Sequence, residues 1–150
     1  MKTAYYSCPL GLLKIGEENG AICQIKCVDK PDAPHHPTPL SDRAARELTE
    51  YFAGKRTVFT LPIHTAGTPF QQMVWQALLA VPHGETRSYG EIAQAIGKPA
   101  AARAVGMACN RNPVWIIIPC HRIVGRNGAL TGYEGGLDRK AFLLQLEQHT

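Results

Sequence analysis

The sequence predicts an α+β protein in two parts, a small α/β domain over residues 1–67 and a mainly helical domain over residues 68–150. Two observations lead to this prediction. Short apolar runs broken by glycine and proline open the chain, which is the pattern of strands in a meander. Beyond residue 68 the apolar residues recur at helical spacing instead. The 150 residues suffice for one ordinary domain or two small ones.

The composition favours a folded protein with a hydrophobic core. Apolar residues make up 45% of the chain and charged residues 19%, so disorder is not expected. No apolar run approaches the ~20 residues of a membrane span, and the first residues lack the apolar stretch of a signal peptide. The five cysteines are irregularly spaced, which favours reduced thiols in a cytoplasmic protein over a disulfide framework.

Positive charge is concentrated in the second part of the chain. Residues 1–67 carry eight Lys and Arg against seven Asp and Glu, and residues 68–150 carry eight against five, which gives the net charge of +4. From Arg87 to Arg126 there are six basic residues and a single acid, Glu91. Such a patch suits a phosphate-bearing partner. On charge alone, an ordinary solvated basic face is the better explanation.

In the first part, strands are expected over residues 4–26, followed by a proline-rich loop over residues 30–39. Ser41 is expected to cap a helix that continues to about Phe52. Residues 59–63 are a candidate for a further strand.

In the second part, apolar residues at helical spacing predict a helix over residues 70–81. Ser88 is expected to cap a second helix, and a third follows over about residues 100–109, after a tight turn at Gly97. Two short helices joined by a glycine-containing turn form a helix-turn-helix pattern.

The third of these helices has an unusually small outer face. Spacing places Ala101, Ala104, Val105 and Ala108 on its inner side and leaves Arg103 as the one long outward arm. A face of this kind suits insertion into a nucleic-acid groove. An ordinary helical hairpin explains the pattern equally well.

The most informative stretch surrounds Cys120. The apolar run Val114–Ile118 indicates a buried strand or segment, Pro119 ends it, and His121 and Arg122 follow the cysteine directly. A neighbouring histidine or positive charge lowers the pKa of a thiol, and the resulting thiolate is a strong nucleophile. We therefore expect Cys120 to be a reactive thiol, whereas the other four cysteines are expected to be inert.

Strand geometry limits how Cys120 and His121 can cooperate. Adjacent residues on an extended strand point to opposite faces, so they cannot form a direct pair if the strand continues. Either the backbone bends at Cys120, or a water molecule relays the proton.

The run Ile118-Pro119-Cys120-His121-Arg122-Ile123 resembles the active-site signature of the O6-alkylguanine-DNA alkyltransferases, or methylated-DNA–protein-cysteine methyltransferases. Further matches follow in the family's order at 84–90, 101–106, 112–113, 132–137 and Glu147. The resemblance is strong over residues 68–150, where it implies a winged helix-turn-helix. Over residues 1–67 it holds in outline and implies a small ribonuclease H-like α/β domain.

The resemblance implies DNA repair by direct reversal. The alkyl group of O6-alkylguanine, and of O4-alkylthymine as a second substrate, would pass irreversibly to Cys120 in a single turnover. The partner would be double-stranded DNA with the damaged base flipped out. The family resemblance also implies a cytoplasmic monomer that needs no cofactor.

The resemblance also assigns roles in the reaction. Cys120 would accept the alkyl group, and His121 would act as its base through a bound water. Glu147 would orient His121, and Asn112 would brace the segment that carries the cysteine. Tyr89 would contact the DNA and donate to guanine N3, helping the base to leave as a neutral species.

Further residues are expected to bind DNA and the flipped base. Arg103 would fill the gap left by the flipped nucleotide, with Ala102 and Gln71 as additional DNA contacts. The guanine pocket would be lined by the Tyr133 ring and by backbone near Ile123 and Glu134. At Glu134 the family usually carries a smaller residue, and we expect the added charge to alter the substrate range.

No metal site is expected. Some members of the family bind zinc through an N-terminal Cys/His set, which is not matched here. The candidate ligands lack a convincing spacing: Cys8, Cys23, Cys27, His35, His36 and His64.

Three other functions agree with parts of the sequence. A non-catalytic relative that binds alkylated DNA is one, but such relatives carry another residue, usually tryptophan, in place of Cys120. A helix-turn-helix regulator with an incidental cysteine is the second. A Cys–His hydrolase is the third and weakest, because no substrate groove is indicated.

Overall fold

Three strands and one helix form the first part of the chain in the computed structural model, which describes residues 1–150. The strands pair antiparallel in sequence order, and Ile15 on the central strand lies opposite Ala4 on one side and Ile25 on the other. All three side chains are buried. The helix packs on the sheet, and its Leu48 and Tyr51 are buried as well. The elements are β1 (Lys2–Cys8), β2 (Gly11–Glu18), β3 (Ala21–Val28) and α1 (Pro39–Phe52).

The helix α1 begins earlier than the sequence predicts. Its N-cap is Thr38, whose side chain accepts from the Ser41 backbone N–H at 3.0 Å. The Ser41 hydroxyl in turn accepts from the Thr38 N–H at 2.8 Å, completing a capping box. The prediction that Ser41 caps the helix is therefore wrong. The helix begins earlier because Pro39 is readily accommodated in its first turn.

The expected strand over residues 59–63 does not form. Ile63 makes only an isolated bridge to Ile22. Thr60 instead donates its backbone N–H and its hydroxyl to the buried Glu47 carboxylate, at 2.9 and 2.6 Å. The Glu47 side chain thus attaches the segment to α1, and the Thr60 N–H is not available for pairing in a sheet.

Helices dominate the second part, as predicted. The elements are α2 (Pro69–Leu79), β4 (Arg87–Ser88), α3 (Tyr89–Ala95), α4 (Ala102–Asn110), β5 (Ile123–Val124) and α5 (Leu137–Gln148). The short strands β4 and β5 pair in parallel and join the start of α3 to the segment that follows Cys120. None of the helices has the length and apolar character needed to cross a membrane.

The chain separates into two units, one comprising Met1–Ala66 with Thr150 and the other Gly67–His149. Within the second unit, α2 is tied to α4 by the Trp75 indole N–H, which donates to the Ala108 carbonyl at 2.9 Å. This bond fixes α4 in place beside α3 and supports the helix-turn-helix.

The helices α3 and α4 adopt the predicted arrangement with one error. Ser88 caps α3, and Gly97 has a φ of 77°, the left-handed conformation that a tight turn after a helix requires. On α4, Val105 is buried as expected, but Ala104 is exposed, and Cys109 is buried instead. The buried face follows from the packing of α4 against α2 and α3, which the alanine spacing alone did not specify.

Candidate active site

The segment before Cys120 is a tight buried turn and not a strand. The Ile118 N–H donates to the Val114 carbonyl at 3.1 Å, and the Ile117 N–H donates to the Trp115 carbonyl at 2.8 Å. Ile116 has a φ of 74°, which is strained for a β-branched residue. The surrounding burial holds this conformation, and the turn delivers the cysteine to the interior.

The backbone bends at Cys120, which is one of the two solutions that the sequence left open. Cys120–Arg122 is a short 3₁₀ helix, and the Ile123 N–H donates to the Cys120 carbonyl. Adjacent side chains therefore no longer alternate as they would on a strand. Cys120 and His121 are both buried, with 4% and 0% of their surface exposed.

Asn112 braces the cysteine. Its side-chain N–H₂ donates to Cys120 Sγ at 3.1 Å and to the Ile118 carbonyl at 2.8 Å. Its side-chain oxygen accepts from the Val114 N–H at 2.9 Å. One buried amide thus spans the whole turn and holds the sulfur in a defined position.

Glu147 on α5 joins His121 to Arg122. His121 Nε2 lies 2.7 Å from Glu147 Oε2. The Arg122 guanidinium donates to both Glu147 oxygens, at 2.8 and 3.0 Å, and to the Val81 carbonyl at 2.7 Å. His121 Nδ1 is buried and has no hydrogen-bond partner within the protein. With Nε2–H donating to a carboxylate, Nδ1 carries the lone pair of the neutral ring.

The Cys120 thiol is protonated at neutral pH. Burial raises its pKa to about 11, although the Asn112 hydrogen bond and the charge of Lys140 act in the opposite direction. The expectation that His121 and Arg122 lower this pKa is therefore wrong. Arg122 binds Glu147 instead, and burial holds the pKa of His121 below its usual value, so the ring is neutral. The thiol needs a base before it can attack.

Lys140 is a site residue that the sequence reasoning missed. Its ammonium is buried and donates to the carbonyls of Ile123, Thr131 and Gly132, at 2.5, 2.6 and 3.1 Å. It also lies 5.8 Å from the centre of the Tyr89 ring. Burial lowers the pKa of Lys140. Through its three hydrogen bonds, the Lys140 side chain holds together the loop that follows the cysteine.

A helical spacing carried the signal for Lys140. Lys140, Leu143 and Glu147 are all buried on α5 and lie on one face of it. A charged residue on the buried face of a helix needs internal partners, so this spacing marks both charged residues as candidates.

Tyr89 lies at the start of α3, beside the same loop. Its hydroxyl donates to the Thr131 carbonyl at 3.1 Å. Burial raises the pKa of the phenol, with the neighbouring Cys109 and Cys120 thiols acting in the same direction. The phenol is therefore protonated and can act as a hydrogen-bond donor.

The expected pocket residues lie on and beside this loop. Tyr133 is half-buried, and its ring centre is 5.6 Å from that of Trp115. A Cβ at Gly135 would come within 2.8 Å of the Tyr133 ring and 2.9 Å of Trp115, so only glycine fits there. Glu134 is exposed, and its charge acts to raise the pKa of Cys120. Ile123 is buried on β5.

The expected DNA-binding residues are distributed over α4 and α2. Arg103 is exposed on α4, and Ala102 is half-buried as the first residue of that helix. The Gln71 side-chain oxygen accepts from the Thr68 N–H at 2.9 Å, so it caps its own helix. Gln71 and Arg111 also line a groove of about 310 Å³ between α2 and α4.

Comparison with known proteins places the chain in a family. Residues 69–149 match the family model described as the DNA binding domain of 6-O-methylguanine DNA methyltransferase. The chain belongs to this methyltransferase family. Residues 1–65 match the ribonuclease-like domain of the same family, which confirms the predicted fold class.

Individual relatives agree with the family match. The methylated-DNA–protein-cysteine methyltransferase of Mycobacterium leprae is 48% identical over 146 residues, covering 94% of this chain and 88% of the relative. The protein of the same name from Methanosarcina acetivorans is 47% identical and covers 98% of each chain. The crystal structure of Mycobacterium tuberculosis OGT in complex with DNA superimposes with a TM-score of 0.92 at 44% identity, covering 99% of this chain and 94% of that one.

The site contains no group of three or more His, Cys, Asp or Glu side chains that could hold a metal ion, and the same is true of the rest of the chain. None of the five cysteines forms a disulfide. The site brings together a thiol, an imidazole, a carboxylate, a guanidinium, a phenol and an ammonium group.

Proposed function

We propose that this methyltransferase repairs alkylated DNA by direct reversal, moving the alkyl group from guanine O6 onto Sγ of its own Cys120. The observation that carries the proposal is the buried arrangement around the thiol. Asn112 positions the sulfur, and the neutral His121, held by Glu147, offers a lone pair on Nδ1. The family match and the DNA complex of the M. tuberculosis relative support DNA as the partner.

In the proposed reaction the thiol proton passes through a bridging water to His121 Nδ1. The thiolate attacks the alkyl carbon, so the S–C bond forms while the C–O6 bond breaks and its electron pair stays on the guanine. Tyr89 donates its phenol proton to guanine N3, so the base leaves uncharged. The imidazolium of His121 is stabilised by the Glu147 carboxylate, as in a catalytic triad. The thioether product is stable, which limits each molecule to one turnover.

Lys140 supports this reaction in two ways. Its ammonium holds the pocket loop through three carbonyls, and its charge favours the thiolate form of Cys120. A positive charge in a buried site stabilises a developing anion far better than the same charge in water.

The alkylated oxygen lies inside the duplex, so the base must leave the stack at a cost of a few kcal/mol. We propose that Arg103 on α4 enters the helix and offsets this cost, with Ala102 and Gln71 as neighbouring contacts. The flipped base would lie against Tyr133 and the backbone near Ile123 and Glu134. The same pocket is proposed to take O4-alkylthymine. We also propose that the protein is a monomer and that it is cytoplasmic, a location in keeping with cysteines that form no disulfide.

Intact-mass measurement after incubation with a duplex that contains O6-methylguanine tests the proposal. We expect one methyl group per chain, located on Cys120 by peptide mapping, and no uptake by Cys120→Ser. The matched control Cys23→Ser alters a half-buried thiol on β3 and should take up methyl normally.

Unmodified wild-type protein that nevertheless binds the damaged duplex tightly would contradict the proposal and favour the non-catalytic lesion binder. Methyl uptake on a different cysteine would contradict the assignment of Cys120. Repeated turnover without modification would indicate a hydrolase.

A further inference from the structure

Arg122 is part of the signature motif, but the reaction above gives it no role. Its side chain is almost fully buried, with 9% of its surface exposed. Two of its nitrogens donate to the Glu147 carboxylate, at 2.8 and 3.0 Å, and the third donates to the Val81 carbonyl at 2.7 Å. This bidentate contact fixes the orientation of the carboxylate plane and places a positive charge against it.

The same carboxylate controls His121. Glu147 Oε2 is shared between His121 Nε2, at 2.7 Å, and Arg122 Nη2, at 3.0 Å. His83, in the turn after α2, lies 4.0 Å from Oε2. Burial is the largest influence against a proton on His121, and the charges of Arg122 and Lys140 act in the same direction, whereas Glu147 favours the proton. The electrostatic part of this balance sets Glu147 against the two cations, and Arg122 is the cation that binds the carboxylate directly.

We propose that Arg122 is a positioning residue for alkyl transfer, which neutralises the Glu147 carboxylate so that His121 remains an uncharged base. This inference rests on the proposed function of Cys120. Without Arg122, a buried carboxylate would face the imidazole with one cation fewer, and a proton on His121 would become favourable. A protonated His121 has no lone pair on Nδ1 and cannot take up the thiol proton.

The pH dependence of single-turnover transfer tests this role, with duplex at saturating concentration so that DNA binding does not limit the rate. In Arg122→Gln we expect the acidic limb of the rate profile to move up by about one pH unit, which is about a tenfold slower rate at pH values below the limb. The rate should recover at higher pH, where His121 is again neutral. Arg122→Lys keeps the cation, and its limb should stay near that of the wild type.

Arg46→Gln is the matched control, since it removes an exposed arginine from α1 and should leave the profile unchanged. A merely structural role for Arg122 predicts lower stability and a smaller active fraction, with the limb unmoved. That result would overturn the proposal, as would equal shifts in the Gln and Lys variants.

The wild-type protein provides a second measurement in case the variants fail to fold. NMR of ring-labelled histidine, with the His121 signal assigned by its loss in His121→Gln, should show a neutral Nε2–H ring at pH 7. A protonated His121 at that pH would overturn the proposal. Failure of the proposed function would differ, because the wild type itself would then take up no methyl on Cys120.

Discussion

Burial dominates the chemistry of Cys120 at the scale of single residues. The flanking His121 and Arg122 suggest an activated thiolate in the sequence, yet the pKa of the thiol is raised to about 11. The resting protein thus holds a protonated sulfur that the Asn112 amide positions at 3.1 Å. Burial outweighs the Asn112 hydrogen bond and the charge of Lys140, which both favour loss of the proton. We therefore expect activation to accompany substrate binding. A thiol of this kind is protected from adventitious alkylation.

The raised pKa predicts how the reactivity of unalkylated Cys120 changes with pH. Its rate of alkylation by iodoacetamide should rise about tenfold per pH unit towards pH 11, since the thiolate fraction grows in that proportion below the pKa. Quenched samples analysed by peptide mapping measure the rate at each cysteine separately. A plateau at or below pH 9, the ordinary value for a thiol, would contradict a raised pKa.

At the scale of elements, α4 combines two roles. Its inner side is fixed by the Trp75 bond to Ala108, and Gly106 brings it close to Tyr89, whose ring lies 3.6 Å from where a Cβ would stand. Its outer side presents Arg103 to solvent. The helix therefore links Arg103, which is proposed to enter the DNA, to Tyr89, which is proposed to donate to guanine N3. Such a link can couple base extrusion to base capture.

The variant Arg103→Ala distinguishes a role in extruding the damaged base from a role in alkyl transfer. We expect repair of duplex DNA to slow by about 10- to 100-fold, because the cost of unstacking the base is no longer offset, while reaction with free O6-benzylguanine slows by less than about threefold. Single-turnover rates on the two substrates measure the difference. Equal losses on both would show that Arg103 supports the site itself, and Arg46→Ala serves as a charge-matched control.

At the scale of the whole molecule, the charge is modest and unevenly distributed. The net charge is +4, and the excess lies between residues 87 and 126. This stretch contains β4, α3, α4 and the segment that carries Cys120. The basic residues therefore surround the elements proposed to meet DNA, and phosphate contacts should contribute much of the affinity.

Binding of Cys120→Ser to a damaged duplex should weaken with salt. With about three to five phosphate contacts, log K should fall against log salt with a slope of about −3 to −5. Fluorescence anisotropy over about 50 to 200 mM salt measures this slope. A slope near zero would exclude a role for the basic patch, and transfer from the free base should be nearly independent of salt.

Local features of the site were predictable from the sequence, whereas pairings across the fold were not. Cys120 and the Ser88 cap follow from short motifs. Glu147 was placed near His121 only because the sequence resembles a known family. Nothing local indicated that Arg122 binds Glu147 or that Lys140 binds three carbonyls, because those partners are brought together only when α5 packs beside the cysteine segment.

The sequence by itself determined the two-part α+β organisation and the helix-turn-helix, and it led to the hypothesis that Cys120 is the reactive cysteine. These features follow from the spacing of apolar residues, from helix caps and from an ordered motif, all of which act over short distances along the chain. Only the tertiary structure decided that the thiol is protonated, that Thr60 binds Glu47 instead of joining a sheet, and that Arg122 binds the Glu147 carboxylate. Protonation depends on desolvation and on charges from distant elements, which no local pattern specifies.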